Sequence, residues 1–166
     1  MVNSGSSRSG GAPSQLTATF MSKLLESGDL QQHIVGTLQP AYARRYYSLM
    51  LAIEEQLIPL GVQLPQTERR LMGGYFVWFS LPSPMDAVRV AVRAKNQHNL
   101  IVAPGAMFGV NGDADIERLK GKIRVCFAWE QEELIVEGIE RLGSVIRNMQ
   151  DELDRGEAED SPSPVV

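Results

Sequence analysis

The sequence predicts an α/β protein in which helices precede a β-α-β-β-α unit. Over residues 13–60, apolar side chains recur at three- and four-residue spacing, which is typical of amphipathic helices. After Gly61 the pattern changes to short apolar runs separated by Pro and Gly, which favours strands. With 166 residues, of which 43% are apolar, the chain is long enough for one core of ordinary domain size.

Two helices are predicted in the first part of the chain. The first begins at Pro13 and ends at Gly28, because proline is favoured at a helix start and glycine just beyond a helix end. Asp29 and Gln32 have the spacing of a capping box, which predicts the start of a second, longer helix. Pro40 lies inside that second helix and lacks a backbone donor, so a kink or break is expected there.

Strands and helices alternate in the rest of the prediction. Ser83 is expected to cap a helix that has Pro84 at its first position, and residues 130–154 have the apolar pattern of a further helix. Residues 111–121 are polar and are predicted to form a loop. The strands, the first of them brief, are expected over residues 62–65, 75–81, 100–103 and 123–128.

Composition and charge exclude several classes of partner. The formal net charge is -4 and basic residues are interspersed with acidic ones, so no nucleic-acid partner is expected. No apolar run approaches the roughly 20 residues that cross a bilayer, so no membrane partner is expected either. The single cysteine, Cys126, lies in an apolar strand and is predicted to be buried and inert. One cysteine cannot form an internal disulfide, and we expect a soluble, cytoplasmic protein.

No metal site is predicted. His33 and His98 are far apart and have no companion residues at metal-ligand spacing. The acidic residues Asp113, Asp115 and Glu117 do not match a calcium-binding loop and are predicted to be solvated.

Arg124 is the strongest candidate for a binding residue. Alternation along its strand separates Ile123 and Val125 from Arg124 and Cys126, which places a guanidinium beside small side chains on one face. The planar guanidinium donates two parallel hydrogen bonds to a carboxylate, a geometry that lysine does not reproduce. The alternative is an edge-strand arginine that extends to solvent or pairs with a structural acid.

Two glycine-containing segments have a structural interpretation, and the first of them has a functional one as well. The pair of glycines that ends at Gly74 permits a tight turn before an aromatic strand, or it permits a ligand to approach the backbone. Tyr75 is either part of a pocket wall or part of the core. Pro104 and Gly105 predict a turn anchored by a buried Phe108.

Three segments carry a family resemblance: GGYFVWFSLP over residues 73–82, APGAMF over 103–108 and IRVCFAW over 123–129. In this order and spacing they resemble the C-terminal small domain of the class I/II, fold-type I aminotransferases, which use pyridoxal phosphate. Residues 5–15 resemble the stretch of the large domain that follows the cofactor lysine. The aminoadipate- and kynurenine-type branch is the most similar, and the resemblance covers residues 4–150.

The resemblance implies a function and assigns roles to three residues. The complete enzyme, expected to be a homodimer with pyridoxal phosphate, would transfer an amino group between an amino acid and a 2-oxo acid. Arg124 would bind the substrate α-carboxylate, and Gly74 and Tyr75 would border the substrate pocket.

No catalytic residue is assigned to this chain, and the cofactor-binding residues are unknown. The family's aldimine lysine follows a Ser-x-Ser motif, which none of the lysines matches. The isolated chain is therefore expected to be inactive. The four lysines are Lys23, Lys95, Lys120 and Lys122.

The resemblance also suggests a domain organisation. Residues 1–12 are a flexible start or a remnant of the large domain, and residues 13–61 are a helical remnant with the connecting helix. Residues 62–154 are the small domain, and residues 155–166 are a disordered acidic tail. An alternative to the enzyme is a non-catalytic ligand-binding or regulatory module derived from the same fold.

Overall fold

The computed structural model describes residues 14–65, 74–110, 112 and 116–156. The chain divides into two compact units, Met1–Ala41 and Tyr42–Val166. The predictions for the first 12 residues and for most of the acidic tail lie outside the described residues. So does Gly73, the first glycine of the pair before the aromatic strand.

The first helix, α1, spans Gln15–Ser27. The Oγ of Ser14 accepts a hydrogen bond from the backbone N–H of Thr17, and Gly28 ends the helix with a φ of 80°. Glycine adopts this left-handed conformation without the steric cost of a Cβ. The predicted end of the first helix at Gly28 is therefore confirmed.

The next helical segment begins differently from the prediction. Helix α2 spans Asp29–His33 and has Gly28 as its N-cap, so the expected capping box of Asp29 and Gln32 is wrong. The carbonyl of Gly28 accepts from the Gln32 N–H at 2.9 Å, while Asp29 accepts a hydrogen bond from Ser27 Oγ at 2.7 Å. Because Gly28 ends one helix and begins the next, Asp29 is already inside the helix.

The helix irregularity lies just before Pro40. A π-helical turn over Ile34–Leu38 leads into helix α3, which spans Gln39–Gln56. Pro40 is the second residue of α3, and the Gln39 N–H bonds the Ile34 carbonyl five residues back. Since proline has no N–H for a regular helical bond, the widened turn accommodates it in place of the expected break at Pro40 itself.

The second unit contains a three-stranded antiparallel sheet. Strands β1 (Phe76–Ser80), β2 (Ala103–Pro104) and β3 (Lys122–Cys126) lie in the order β1-β3-β2. All three are shorter than predicted. The expected brief strand at residues 62–65 is wrong, because this segment makes only an isolated bridge between Gln63 and Ser80.

Three helices accompany the sheet: α4 (Ala87–His98), α5 (Ile116–Leu119) and α6 (Glu132–Asp154). The predicted start of α4 at Ser83 is wrong, since the side chain of Asp86 caps the helix by accepting from the Val88 and Arg89 N–H groups. Helix α5 forms one turn inside the segment predicted to be a loop.

One face of the sheet forms the core of the second unit. Ile123 and Val125 of β3 face inward beside Phe79 and Val77 of β1, and α4 and α6 pack together with them. The predicted α/β class and β-α-β-β-α order are confirmed, with the one-turn helix α5 added between β2 and β3. The largest fully buried side chains outside the sheet are Leu49, Ile53, Leu57, Val90, Leu142, Val145 and Ile146.

Candidate functional site

Arg124 lies in the middle of the central strand, on the face turned away from the core. Its Cα is paired with Trp78 of β1 on one side and with Ala103 of β2 on the other. The alternation predicted for this strand is confirmed, because Ile123 and Val125 are buried while Arg124 is half-buried. The alternative of an edge-strand arginine is wrong, since β3 has a neighbour on each side.

Two aromatic rings contact the guanidinium group of Arg124. Its Cζ lies 4.0 Å from the centre of the Phe76 ring and 3.9 Å from the centre of the Phe108 ring. Phe108 also meets Trp78 edge to face, with 5.2 Å between ring centres. The prediction of a buried Phe108 is wrong, because this side chain is 38% exposed and packs on Arg124 rather than in the core.

The guanidinium of Arg124 has no acidic partner within the described ranges. None of the hydrogen bonds or ion pairs among those residues involves it. Glu137 lines the same groove as Arg124 but pairs with Arg141, which also donates to the carbonyl of His98 at 3.3 Å. The predicted alternative, a pair with a structural acid, is therefore not found among the described residues.

A groove of about 680 Å³ lies beside Arg124. It runs between the outer part of β3, the segment before β2 and the start of α6, and its walls are mainly apolar. Trp129 borders the groove and is 86% exposed. An apolar groove with one unpaired guanidinium suits a ligand that has a carboxylate and an apolar body. The lining includes the apolar residues Phe76, Met107, Trp129 and Leu134, together with Arg124.

Cys126 is exposed and lines this groove, so the prediction that it is buried is wrong. The physical reason is strand alternation. Cys126 lies two residues after Arg124 and therefore shares its face, whereas the core lies on the other side of the sheet. The apolar neighbours that suggested burial, Val125 and Phe127, both point to the core.

Gly74 and Tyr75 lie at the entrance to β1. Gly74 has a φ of 77°, and among the described residues no atom outside Gly74 and its chain neighbours lies within 4 Å of the position that a Cβ would occupy. The Tyr75 carbonyl accepts from the Phe127 N–H, and its ring meets that of Tyr42 edge to face at 5.1 Å. Tyr75 is 49% exposed, so it is not part of the core. The groove beside Arg124 has neither residue among its described lining.

Helix α3 holds the segment that follows β3. Arg45 Nη1 donates to the carbonyl of Ala128 at 3.1 Å, and the ring of Tyr46 meets that of Phe127 edge to face at 5.6 Å. Ser48 donates to Glu132 at 3.2 Å, near the start of α6. These contacts fix the backbone on both sides of Trp129.

The lysines of the described part do not form a pyridine-aldehyde cofactor site. Such a site needs an amine that is neutral when it attacks a carbonyl, which a lowered pKa favours. The pKa of Lys120 is instead raised, because the ammonium donates a hydrogen bond to Glu117 and is attracted by its charge. Lys23 and Lys95 are exposed on helices, and Lys122 is half-buried on β3.

Metal-ligand clusters and membrane-spanning helices are both absent from the described part of the chain. There, no three metal-ligating side chains come together. Within the same residues, no helix has the length and apolar character that would take it across a bilayer.

Comparison with known proteins identifies relatives of this chain. It is 32% identical over 125 residues to aromatic-amino-acid aminotransferase 1 of Thermococcus litoralis, covering 75% of this chain and 27% of that protein. It is 31% identical over 134 residues to the 2-aminoadipate transaminase of Thermus thermophilus, which covers 81% of this chain and 30% of that protein. An uncharacterized HTH-type transcriptional regulator of Escherichia coli is 27% identical over 142 residues, covering 77% and 28%. No family model matches the chain.

Solved structures agree with these relatives. The kynurenine aminotransferase of Pyrococcus horikoshii superposes with a TM-score of 0.64 and 28% identity, covering 76% of this chain and 28% of that one. The multiple substrate aminotransferase of Thermococcus profundus gives a TM-score of 0.63 and 30% identity, covering 78% and 29%. The fold is that of the aminotransferases.

This chain is similar in sequence and in fold to the pyridoxal-phosphate-dependent aminotransferases, and the resemblance recognised from the sequence is confirmed. The chain spans less than a third of the length of the curated relatives it matches, between 27% and 31%.

Sequence reasoning missed the contacts that Phe76 and Phe108 make with the Arg124 guanidinium, and the ring contact between Phe108 and Trp78. Phe76 and Arg124 are 48 positions apart in the sequence, and the spacing of neighbouring residues does not predict contacts over such a distance. The signal that could have located Phe76 and Trp78 is the antiparallel pairing of their strand with β3, which brings alternate residues of both strands to the same face.

Proposed function

We propose that this chain supplies the substrate-carboxylate site of an aminotransferase that exchanges an amino group between an amino acid and a 2-oxo acid. Arg124 is the residue that binds the α-carboxylate. The observation that carries the proposal is the guanidinium of Arg124, which contacts two aromatic rings, borders an apolar groove and has no acidic partner among the described residues.

The geometry suits a carboxylate for two reasons. An arginine already paired with an acid would gain little from a second anion, whereas Arg124 has no acidic partner among the described residues. The groove is partly desolvated by apolar walls, so a charge-assisted, two-bond contact is stronger there than in bulk water. Gly74 and Tyr75 are proposed to border the pocket from the entrance of β1, where the bare backbone of Gly74 leaves room for a ligand.

Pyridoxal phosphate is the cofactor of the family, but the described residues do not fit it. They provide no lysine of suitable environment, and Lys120 in particular is stabilised in its charged form by Glu117. We therefore place the cofactor-binding residues outside the described ranges and derive no catalytic step from this chain. The domain division predicted from the sequence, with a small domain at residues 62–154, is part of the same proposal, as is a homodimer of the complete enzyme.

Carboxylate binding can be measured on the chain itself. In the ¹⁵N-labelled protein, addition of pyruvate should shift the Arg124 Nε–Hε resonance in a saturable way, whereas the neutral analogue pyruvamide should not. Arg124→Lys should abolish saturable binding, because lysine lacks the planar two-bond donor. Arg147, which is exposed on α6 and outside the groove, provides the matched control Arg147→Lys. Equal binding by both variants would contradict the proposal.

A ligand-binding regulatory module is the second candidate function. The relative named as a transcriptional regulator favours it, because that protein matches 77% of this chain, a share similar to the 75% and 81% that the two transaminases match. The two functions differ in turnover. Amino transfer by the complete protein supports the enzyme, while saturable amino-acid binding without transfer in the presence of added pyridoxal phosphate supports the module.

A further inference from the structure

We infer that Phe76 and Phe108 are positioning residues, which form an aromatic clamp that holds the Arg124 guanidinium for a carboxylate. The two rings come from different elements: Phe76 begins β1, and Phe108 ends the 3₁₀ turn Gly105–Phe108. Each ring centre lies within about 4 Å of Arg124 Cζ, inside the range of a cation–π contact. The inference rests on the proposed role of Arg124 as the carboxylate-binding residue.

The clamp would order the Arg124 side chain, for which the described residues provide no acidic partner. A free arginine side chain samples many rotamers, and a binding site must restrict them before the ligand arrives. An acid would restrict them but would compete with the substrate for the same N–H donors. Aromatic faces attract the delocalised positive charge of the guanidinium, and they leave its N–H groups available as donors. The two contacts therefore supply order without cancelling the charge.

The acids of the groove support this interpretation. Glu130 and Glu137 both line the groove that Arg124 borders. Glu137 pairs with Arg141, one turn further along α6, and Glu130 is exposed. Neither of these acids has a contact with Arg124, and the two rings are the partners of Arg124 within the described ranges.

Neighbouring residues hold the Phe108 ring in place beside Arg124. Its ring meets Trp78, and Trp78 is the residue directly opposite Arg124 in the pairing of β1 with β3. The turn that carries Phe108 follows Pro104, which pairs with Ile123 beside Arg124. The same central strand therefore sets the positions of Arg124 and of the turn that carries Phe108.

Nuclear magnetic resonance of the chain tests the clamp directly. Ring currents should move the Arg124 side-chain proton signals upfield from their usual range. Phe108→Leu keeps an apolar side chain but removes the ring, and it should remove part of this shift and weaken pyruvate binding about two- to fivefold, the scale of one exposed cation–π contact. Phe108→Tyr retains a ring and should restore both. Phe76→Leu tests the other ring in the same way.

The outcomes separate the clamp from the proposed function. If Arg124→Lys abolishes pyruvate binding but both leucine variants bind as tightly as the unaltered chain, the clamp is wrong and the carboxylate site stands. Absence of an upfield shift in the unaltered chain also overturns the clamp. If the unaltered chain does not bind pyruvate through Arg124 at all, the proposed function fails. Should Phe108→Leu fail to fold, Phe76→Leu, on the exposed face of β1, allows the same two measurements of the Arg124 proton shift and of pyruvate binding.

Discussion

The main chain of Gly105 lies directly against the carbonyl oxygen of Leu119, at the end of helix α5. A Cβ built on Gly105 would be closer to that oxygen than real Cβ atoms come to a neighbour, and it would lie 3.1 Å from the carbonyl of Lys122. Gly105 opens the turn that carries Phe108 to Arg124. The absence of a side chain at one buried residue thus sets the position of the aromatic contact.

We predict that Gly105→Ala destabilises the chain by about 1–3 kcal/mol, the usual cost of forcing an extra methyl group into a packed site. Two of the three close neighbours are backbone carbonyl oxygens and the third is Lys122 Cβ, which is fixed to the backbone, so relief requires the turn itself to move. Urea unfolding measures the change. Gly138→Ala is the control: it lies in helix α6, and its new Cβ would make only an ordinary 3.5 Å contact with Leu100. The control should gain about 0.5–1 kcal/mol from helix propensity, and an equal loss in both variants would contradict the packing argument.

The capping of α4 gives a second prediction. Asp86 accepts two backbone hydrogen bonds, from Val88 at 2.8 Å and from Arg89 at 3.0 Å. Asp86→Ala should lower the free energy of unfolding by about 1 kcal/mol, as loss of an N-cap usually does. Asp86→Asn keeps an acceptor oxygen and should retain most of the stability. Thermal unfolding of the three proteins distinguishes these outcomes, and a harmless alanine variant would show that the cap contributes little.

The error over the start of α4 shows what local sequence leaves undetermined. Both Ser83 and Asp86 are good capping residues, and Pro84 favoured the earlier start. The choice is made by a long-range contact, since the Ala87 N–H donates to the carbonyl of Lys120 at 2.8 Å. That bond fixes the backbone just after Asp86, so the helix begins there.

The site shows the same division between local and long-range information. Alternation along β3 correctly separated Arg124 from Ile123 and Val125, because it depends only on the geometry of one strand. The aromatic contacts of Arg124 depend on the register of β3 with β1 and on the turn at Phe108, neither of which the spacing of apolar residues encodes. The exposure of Cys126 follows from the same alternation, but its apolar neighbours obscured it.

Lys120 provides a prediction about pH. Its pKa is raised above the ordinary value of 10.5 because Glu117 accepts its hydrogen bond and attracts its charge. A raised folded-state pKa means that the stabilisation is fully present below pH 10.5 and is lost as the pH rises through the folded-state value. Glu117→Gln should therefore bring the pKa down toward 10.5. Titration of the Lys120 ¹³Cε resonance measures it, and an unchanged midpoint would show that the ion pair does not persist in solution.

The last prediction concerns catalysis by the proposed aminotransferase of which this chain would be a part. Arg124→Lys keeps the charge but loses the paired donors, so transition-state binding should weaken by about 1.5–3 kcal/mol, on the scale of a charged hydrogen bond. That corresponds to a fall of about one to two decades in kcat/KM for amino acids. Binding of pyridoxal phosphate, followed by its absorbance, should be almost unchanged, because the described residues do not fit that cofactor. Arg147→Lys, on the exposed surface of α6, should retain full activity. Loss of the cofactor with retained substrate affinity in Arg124→Lys would show that Arg124 acts on the cofactor and not on the carboxylate.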